Sequence, residues 1–260
     1  MKDTWLAIDT ATAVASVAAV HADATERFGD ATERFVGASD ILKGARLHAS
    51  HLLPLIDRVL VTVDRGVGDL QGIVIGDGPG SFTGLRVGWA TAKGLAQEAG
   101  LPVVAIPSLM GKAHSASQTL GEPIAVCYDA LRGAVYGAVY RFTESQVETL
   151  LPPRVGTIEE MAEHSPVRPS FALGDGALRY AAEIRAWTGR EPLNWDQEAA
   201  QGEVGIVAWS FLVLKDKVGA TRVIDDLASG EPVYGRPAEA QARWEARHGR
   251  PLPDPSRAAR

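Results

Sequence analysis

The sequence contains one cysteine, Cys127, so no disulfide can close within the chain. It sits in the apolar run Ile124-Ala-Val-Cys-Tyr128, the setting of a small buried hydrophobe in a strand, with no base advertised nearby to make it a nucleophile. No apolar run reaches the roughly 18 residues that cross a bilayer. The opening Met1-Lys2-Asp3 leads straight into an alternating strand pattern, not a signal peptide, and a cytoplasmic location is expected. Excess positive charge is also lacking: 26 Lys and Arg against 32 Asp and Glu leave −6 at pH 7. That excludes a whole-surface affinity for nucleic acid and leaves room only for a local basic patch. With 46% hydrophobic and 22% charged residues the composition is that of an ordinary globular protein. A chain of 260 residues suits one large domain or two small lobes.

The order of elements echoes itself. Trp5-Leu-Ala-Ile-Asp9 is an apolar strand ending in an acid, followed by the polar turn Thr10-Ala-Thr12 and a second strand from Val14 to Val20. Ile124 to Asp129 repeats the plan, with a turn at Arg132-Gly133 and a second strand from Ala134 to Tyr140. Downstream, Ile73-Val-Ile-Gly76-Asp77-Gly78 runs into a helical stretch to about Ala99, and Phe171-Ala-Leu-Gly174-Asp175-Gly176 into one to about Trp187. Strands alternating with helices predict an α/β fold, and the repeated order predicts two similar lobes, as in the actin, sugar-kinase and Hsp70 superfamily. A boundary near Ile106-Pro107 gives an N-terminal lobe of 1–106 and a C-terminal lobe of 107–236.

Two segments stand outside this plan. Asp-Ala-Thr-Glu-Arg-Phe occurs at 23–28 and again at 30–35, a local duplication that lengthens a hairpin or loop. From Gly235 onward the chain carries Arg236, Arg243, Arg247, Arg250, Arg257 and Arg260 against Glu239, Glu245 and Asp254. With Pro251, Pro253 and Pro255, the tail at 237–260 reads as a disordered, solvated extension, and contact with RNA or a partner is the alternative.

The most informative stretch is Gly78-Pro-Gly-Ser-Phe-Thr-Gly-Leu-Arg-Val-Gly88, continuing to Ala92-Lys-Gly-Leu-Ala96. Pro79 and Gly80 make a tight turn, and Ser81 or Thr83 can cap the helix that follows. Gly84, Gly88, Ala92 and Ala96 recur at spacing four and share one face. Two helical glycines cost about 1 kcal/mol each relative to alanine, so a close approach of another backbone is expected on that face. The preceding helix, about Ala49 to Val63, shows one apolar stripe of Leu52, Ile56, Val59 and Val63 and a second of Leu53 and Leu60, with Leu55 off both. Two stripes suggest that it buries a second side, against a neighbouring lobe or against a partner protein.

Catalytic patterns are missing. An actin-like ATPase cradles phosphates on glycine-rich turns, yet Asp9-Thr-Ala-Thr-Ala-Val has no glycine, and Asp129-Ala-Leu-Arg-Gly133 has one beside a bulky leucine. His48 and His51 stand at i, i+3 with no third ligand cluster, and read as solvated or interface histidines. Gly-Pro-Gly-Ser-Phe-Thr-Gly has the wrong spacing on both sides of the serine for a nucleophile elbow.

The segment 78–96 resembles the signature of the TsaB (YeaZ) family. Similar stretches are Leu6-Ala-Ile-Asp-Thr10, His48-Ala-Ser with Leu52-Leu-Pro-Leu-Ile-Asp57, Asp129-Ala-x-Arg-Gly-x-Val-Tyr136 and Pro232-Val-Tyr-x-Arg236, so the likeness runs from about residue 4 to 237. Gly235 departs from the family pattern, which usually has a larger apolar residue there. The resemblance implies an actin-like/Hsp70-like (ASKHA, RNase H-like) two-lobed fold. It also implies a non-catalytic subunit that pairs through helices with TsaD, which transfers a threonylcarbamoyl group to the tRNA adenosine 3′ of the anticodon, and works with TsaE. On that expectation this chain alone binds no cofactor, ATP or ADP and a metal ion belong to the partner subunits, and a homodimer through the same helices is a resting state. The pairing residues it implies are His48, Leu52, Leu53, Ile56, Val59, Leu60, Ser81, Phe82, Gly84, Arg86, Val87, Gly88 and Ala92. An independent actin-like ATPase or phosphotransferase is the rival reading.

Overall fold

A computed structural model describes residues 4–21, 37–44, 47–117, 121–194 and 207–235, with isolated positions 247 and 249 beyond them. The first sheet begins with β1 (Thr4–Asp9), antiparallel to β2 (Val14–His21), which is antiparallel to β3 (Gly37–Lys43). On its other side β1 runs parallel to β4 (Leu70–Gly76), and β4 parallel to β5 (Val103–Ile106). The second sheet repeats this wiring with β6 (Pro123–Asp129), β7 (Val135–Phe142), β8 (Val147–Gly156) and β9 (Phe171–Leu173). Its order, β8-β7-β6-β9, matches β3-β2-β1-β4 of the first sheet strand for strand. This duplicated hairpin-then-parallel-strand arrangement is the actin-like (ASKHA, RNase H-like) two-lobed fold expected from the sequence.

The near-continuous apolar runs of β1 and β4 exist because both faces of that sheet are covered. Leu6, Ile8, Ile73 and Ile75 point to one side, where α1 (His48–Thr62) and α2 (Phe82–Ala99) supply Leu52, Leu55, Ile56, Val59, Trp89 and Ala96. Ala7 and Val74 point to the other, toward Leu109 and Met110 of α3 (Ser108–Ser115) and Phe211 of a later helix (207–214). That second cluster continues into Val126, Tyr128 and Tyr140 of the other sheet, so one core joins the lobes. On the far face of the second sheet, α4 (Ile158–His164), α5 (Asp175–Arg179) and α6 (Ala181–Thr188) cover Cys127, Val135 and Val139. Cys127 is fully buried in β6. Burial pushes its thiol pKa up to about 12, as befits packing and not chemistry.

The boundary at 106/107 separates the strands of the two sheets, but the chain does not stay on the second side of it. The helix α7 (Val207–Leu214) packs beneath β1 and β2, the Ala208 amide donating to Ser16 Oγ at 3.2 Å, and β10 (Arg222–Val223) adds itself antiparallel to β5. The C-terminal segment therefore belongs to the first sheet in space. The duplicated 23–35 segment lies between β2 and β3, and it and nearly all of the tail fall outside the described residues.

Helix α1 requires one correction. Leu55 is completely buried with Leu52, Ile56, Val59 and Leu60, while Leu53 is 58% exposed. The helix thus has one broad inner face and an outer side bearing Leu53 and Val61.

Candidate functional site

Helix α2 is set in place by its first turn. Ser81 caps it, its Oγ accepting the Gly84 amide at 3.2 Å, and the Ser81 amide itself donates to the Ala11 carbonyl at 2.7 Å. A side chain at Gly80 would overlap the Ala11 carbonyl, at Gly84 the Thr10 carbonyl, and at Gly88 the Thr10 hydroxyl. The backbone that the small face approaches is therefore the chain's own β1–β2 turn. Ala92 and Ala96 continue the same face onto the sheet.

This seat also closes off the end of β1. The Asp9 carboxylate accepts a hydrogen bond from Ser108 Oγ at 2.7 Å, and Ser108 Oγ in turn accepts from the Gly78 amide at 3.2 Å. Gly76 lies against it so closely that any β-carbon there would overlap the carboxylate. Burial drives the Asp9 pKa up to about 6, with the Ser108 bond and the charge of Lys112 opposing the rise.

Between the sheets lies a cleft of about 560 Å³. Its walls are the β1–β2 turn at Ala11-Thr12-Ala13, the start of α2 at Gly80–Thr83, the aromatic rings of Tyr128, Tyr136 and Tyr234, and the acids Asp129 and Asp175. Asp9 is not on its wall. Asp129 Oδ2 accepts from Arg179 at 2.7 Å and Oδ1 from the Leu131 amide at 3.0 Å. Asp175 Oδ1 accepts the amides of Asp129 and Gly176 at 3.0 and 2.9 Å. Burial raises the pKa of Asp175, and the neighbouring Asp129 charge adds to the rise. The β6–β7 turn places Leu131 and Arg132 at φ +63° and +55°, a left-handed conformation that bulky residues rarely adopt. Leu131, 54% exposed, lines the cleft.

At the mouth of the cleft, Arg86 lies over the Phe82 ring, 4.2 Å from its centroid, and its Nε donates to Tyr234 Oη at 3.2 Å. Phe82 and Tyr234 are themselves in ring contact, with centroids 4.6 Å apart and planes tilted by 36°. Gly235, the departure from the family pattern, has φ +74°, and a side chain there would run into Pro79 and Tyr136. A glycine is what this turn requires.

These positions revise the list of pairing residues. Leu52, Ile56, Val59, Leu60, Gly84, Gly88 and Ala92 face inward and are buried, so in this fold an outside partner does not reach them. His48 is buried too, contrary to the expectation of a solvated or interface ring. Desolvation lowers its pKa, and an interaction with the Ala13 backbone opposes the fall. His51 is exposed, with Nδ1 2.7 Å from Ser50 Oγ, and the two do not converge on a shared metal position. Among the described residues no group of three His, Cys, Asp or Glu side chains is placed to hold a metal ion. Accessible from outside are Leu53 and Arg86, with Ser81, Phe82 and Val87 half-buried. Val61, Ala90 and Gly94 are exposed on the same two helices and were not singled out from the sequence. A β-carbon at Gly94 would meet nothing within 4 Å, so this glycine, unlike Gly84 and Gly88, has no internal reason. The ion pair between Asp77 and Arg222, with oxygen–nitrogen distances of 2.6 and 3.0 Å, was also missed, since the two are 145 residues apart and carry no local pattern.

Residues 43–182 match the family profile described as TsaD, tRNA N6-adenosine threonylcarbamoyltransferase. Among curated proteins, a Bacillus subtilis protein named tRNA threonylcarbamoyladenosine biosynthesis protein TsaB is 29% identical over 76% of this chain and 83% of its own length. The Escherichia coli protein of the same name is 35% identical over 42% of this chain and 51% of its own. The chain belongs to the TsaB (YeaZ) group of this family. Among the relatives, the matched part spans most of the Bacillus protein but only about half of the Escherichia coli one. A crystal structure from Pseudomonas aeruginosa, of an uncharacterized protein with similarity to peptidase YEAZ, superposes with TM-score 0.67 at 24% identity over 90% of this chain and all of its own. YeaZ from Pseudomonas aeruginosa superposes with TM-score 0.57 at 25% identity over 80% and 98%. Both share the two-lobed fold.

Proposed function

We propose that the chain is a non-catalytic subunit in the formation of threonylcarbamoyladenosine on tRNA. It pairs with a TsaD-type transferase through the outer face of α1 and α2, and TsaE joins the complex. The role in this modification follows from the relatives' names; the pairing and the absence of chemistry are our reading. The observation that carries it is the closed end of β1. The carboxylate that an actin-like ATPase would use toward a metal and phosphate is here buried behind Ser108 and Gly76, and the adjoining turn is occupied by the start of α2. Leu53, Val61, Ala90 and Gly94 form an outer face on two adjacent helices that suits the approach of a partner helix pair. ATP or ADP and the metal ion then belong to the partner subunits, a homodimer through the same face is the resting state, and the setting is the cytoplasm. Among the described residues no helix is long and apolar enough to cross a membrane.

The rival, an independent ATPase or phosphotransferase, draws support from the cleft with Asp129 and Asp175 on its wall. Size-exclusion chromatography with light scattering, on the chain alone and mixed with TsaD from the same organism, separates the two. A one-to-one species that is lost with Leu53→Asp supports the subunit reading. No association, together with steady ATP turnover by the chain alone, overturns it.

A further inference from the structure

Exposed residues of α2 recur at Thr83, Arg86, Ala90, Gly94 and Gln97, every three or four positions, so they form one stripe along the outer side of the helix. The stripe starts at the wall of the cleft with Thr83 and passes over small residues, and a β-carbon at Gly94 would meet nothing. Arg86 is the one charged side chain among the five.

Two rings hold its guanidinium. The central carbon lies 4.2 Å from the Phe82 centroid and 5.7 Å from that of Tyr234, and Nε donates to Tyr234 Oη at 3.2 Å. The two terminal amino groups have no partner among the described residues. Two other cations beside α2 are committed to the chain itself, Arg222 to the Asp77 carboxylate at 2.6 and 3.0 Å and Lys93 to the Ala228 carbonyl at 3.3 Å. A guanidinium pinned in this way has already given up rotamer freedom, so less is lost when its free edge meets an anion.

That edge is a fork, which matches the two oxygens of a carboxylate. A nucleic-acid backbone calls instead for clustered cations. Here the stripe offers one, and the segment tied to α2 through Lys93 and Tyr234 exposes Asp225, Asp226 and Glu231. We propose that Arg86 is the charged anchor of the outer face: an aspartate or glutamate of the partner protein, on a helix laid along Ala90 and Gly94, closes a two-pronged ion pair with its terminal amino groups. This anchor rests on the pairing with a TsaD-type transferase proposed above, and adds the group that the transferase must bring.

Titration calorimetry of the full chain with TsaD from the same organism tests it. Arg86→Gln is expected to weaken association about thirtyfold, and Arg86→Lys, which keeps the charge but not the fork, about tenfold. Arg86→Glu should abolish pairing. Among single Asp→Lys or Glu→Lys variants of TsaD, one should then bind the Arg86→Glu chain more tightly than it binds the unaltered chain, a rescue that a merely structural role for Arg86 would not produce. Equal affinity for the unaltered, Arg86→Gln and Arg86→Glu chains, with pairing still lost in Leu53→Asp, overturns the anchor and leaves the pairing reading standing. A loss with Arg86→Glu that no charge-reversed TsaD restores overturns it as well. So does an effect of Arg86→Gln confined to the affinity of the assembled pair for tRNA, which would give the guanidinium to a phosphate. Failure of the unaltered chain to associate with TsaD removes the pairing reading itself, and the anchor with it.

Discussion

The same substitution at two glycines of α2 should have opposite effects. At Gly84 a methyl group would overlap the Thr10 carbonyl oxygen, a backbone atom in a turn that the Ser81 amide already holds through Ala11. Overpacking of this kind costs about 1–3 kcal/mol, and a fixed backbone oxygen places the cost toward the upper end. The gain in helix propensity, at most about 1 kcal/mol, is reduced because Gly84 lies in the first turn. Gly84→Ala is therefore expected to destabilise by about 1–2 kcal/mol. At Gly94 the methyl meets nothing and the helix interior gives the full propensity term, so Gly94→Ala should stabilise by about 0.5–1 kcal/mol. Urea unfolding followed by circular dichroism, with the slope held common, reads the difference of about 2 kcal/mol directly. Equal midpoints for the two variants, with Gly84→Ala instead losing TsaD in size-exclusion runs, would refute an internal seat for the small face and restore it to a partner.

Three further outcomes follow from burial and charge. Leu55→Ala should cost about 2–5 kcal/mol in urea unfolding, because the side chain is fully buried, whereas Leu53→Ala should stay within about 0.5 kcal/mol while weakening pairing. Asp9, with its pKa pushed up to about 6, keeps in the native state a proton that the unfolded chain releases near pH 4. Its contribution is therefore present in full at lower pH and lost as pH rises between about 4 and 6, an effect on the order of 3 kcal/mol that Asp9→Asn should remove from the pH profile of the unfolding free energy. Gly235→Ala should lower the thermal midpoint by several degrees, since both its left-handed φ and the contact with Pro79 and Tyr136 resist a side chain; an unchanged midpoint would show that the turn relaxes freely.

The fold was legible because its signals are local. Each half announces itself by an apolar run ending in an aspartate, a hairpin, and a strand that stops at glycine before a helix, and the two sheets repeat strand order accordingly. What sequence could not supply was the identity of neighbours. Spacing four shows that Gly84, Gly88 and Ala92 share a face, but the periodicity is the same whether that face meets another protein or the turn at Thr10. Leu55 falls off a narrow stripe of spacing three and four, yet on a helix lying across a sheet the 52, 55, 56, 59 pattern is one face. The return of α7 and β10 to the first sheet, and the pairing of Asp77 with Arg222, depend on contacts between residues far apart in sequence and leave no periodic trace.

The inward turn of the signature segment changes what its chemistry means. Gly80, Gly84 and Gly88 are small so that α2 can sit on the β1–β2 turn, and by sitting there the helix start takes up the Ala11 carbonyl. On the proposed reading, the residues that give the segment its distinctive pattern are the ones that close the end of β1, while Asp129 and Asp175 line the cleft. Among the described residues the outer side of α2 is exposed at Ala90 and Gly94, because every small residue that seats the helix points inward and Gly94 alone among its glycines points out.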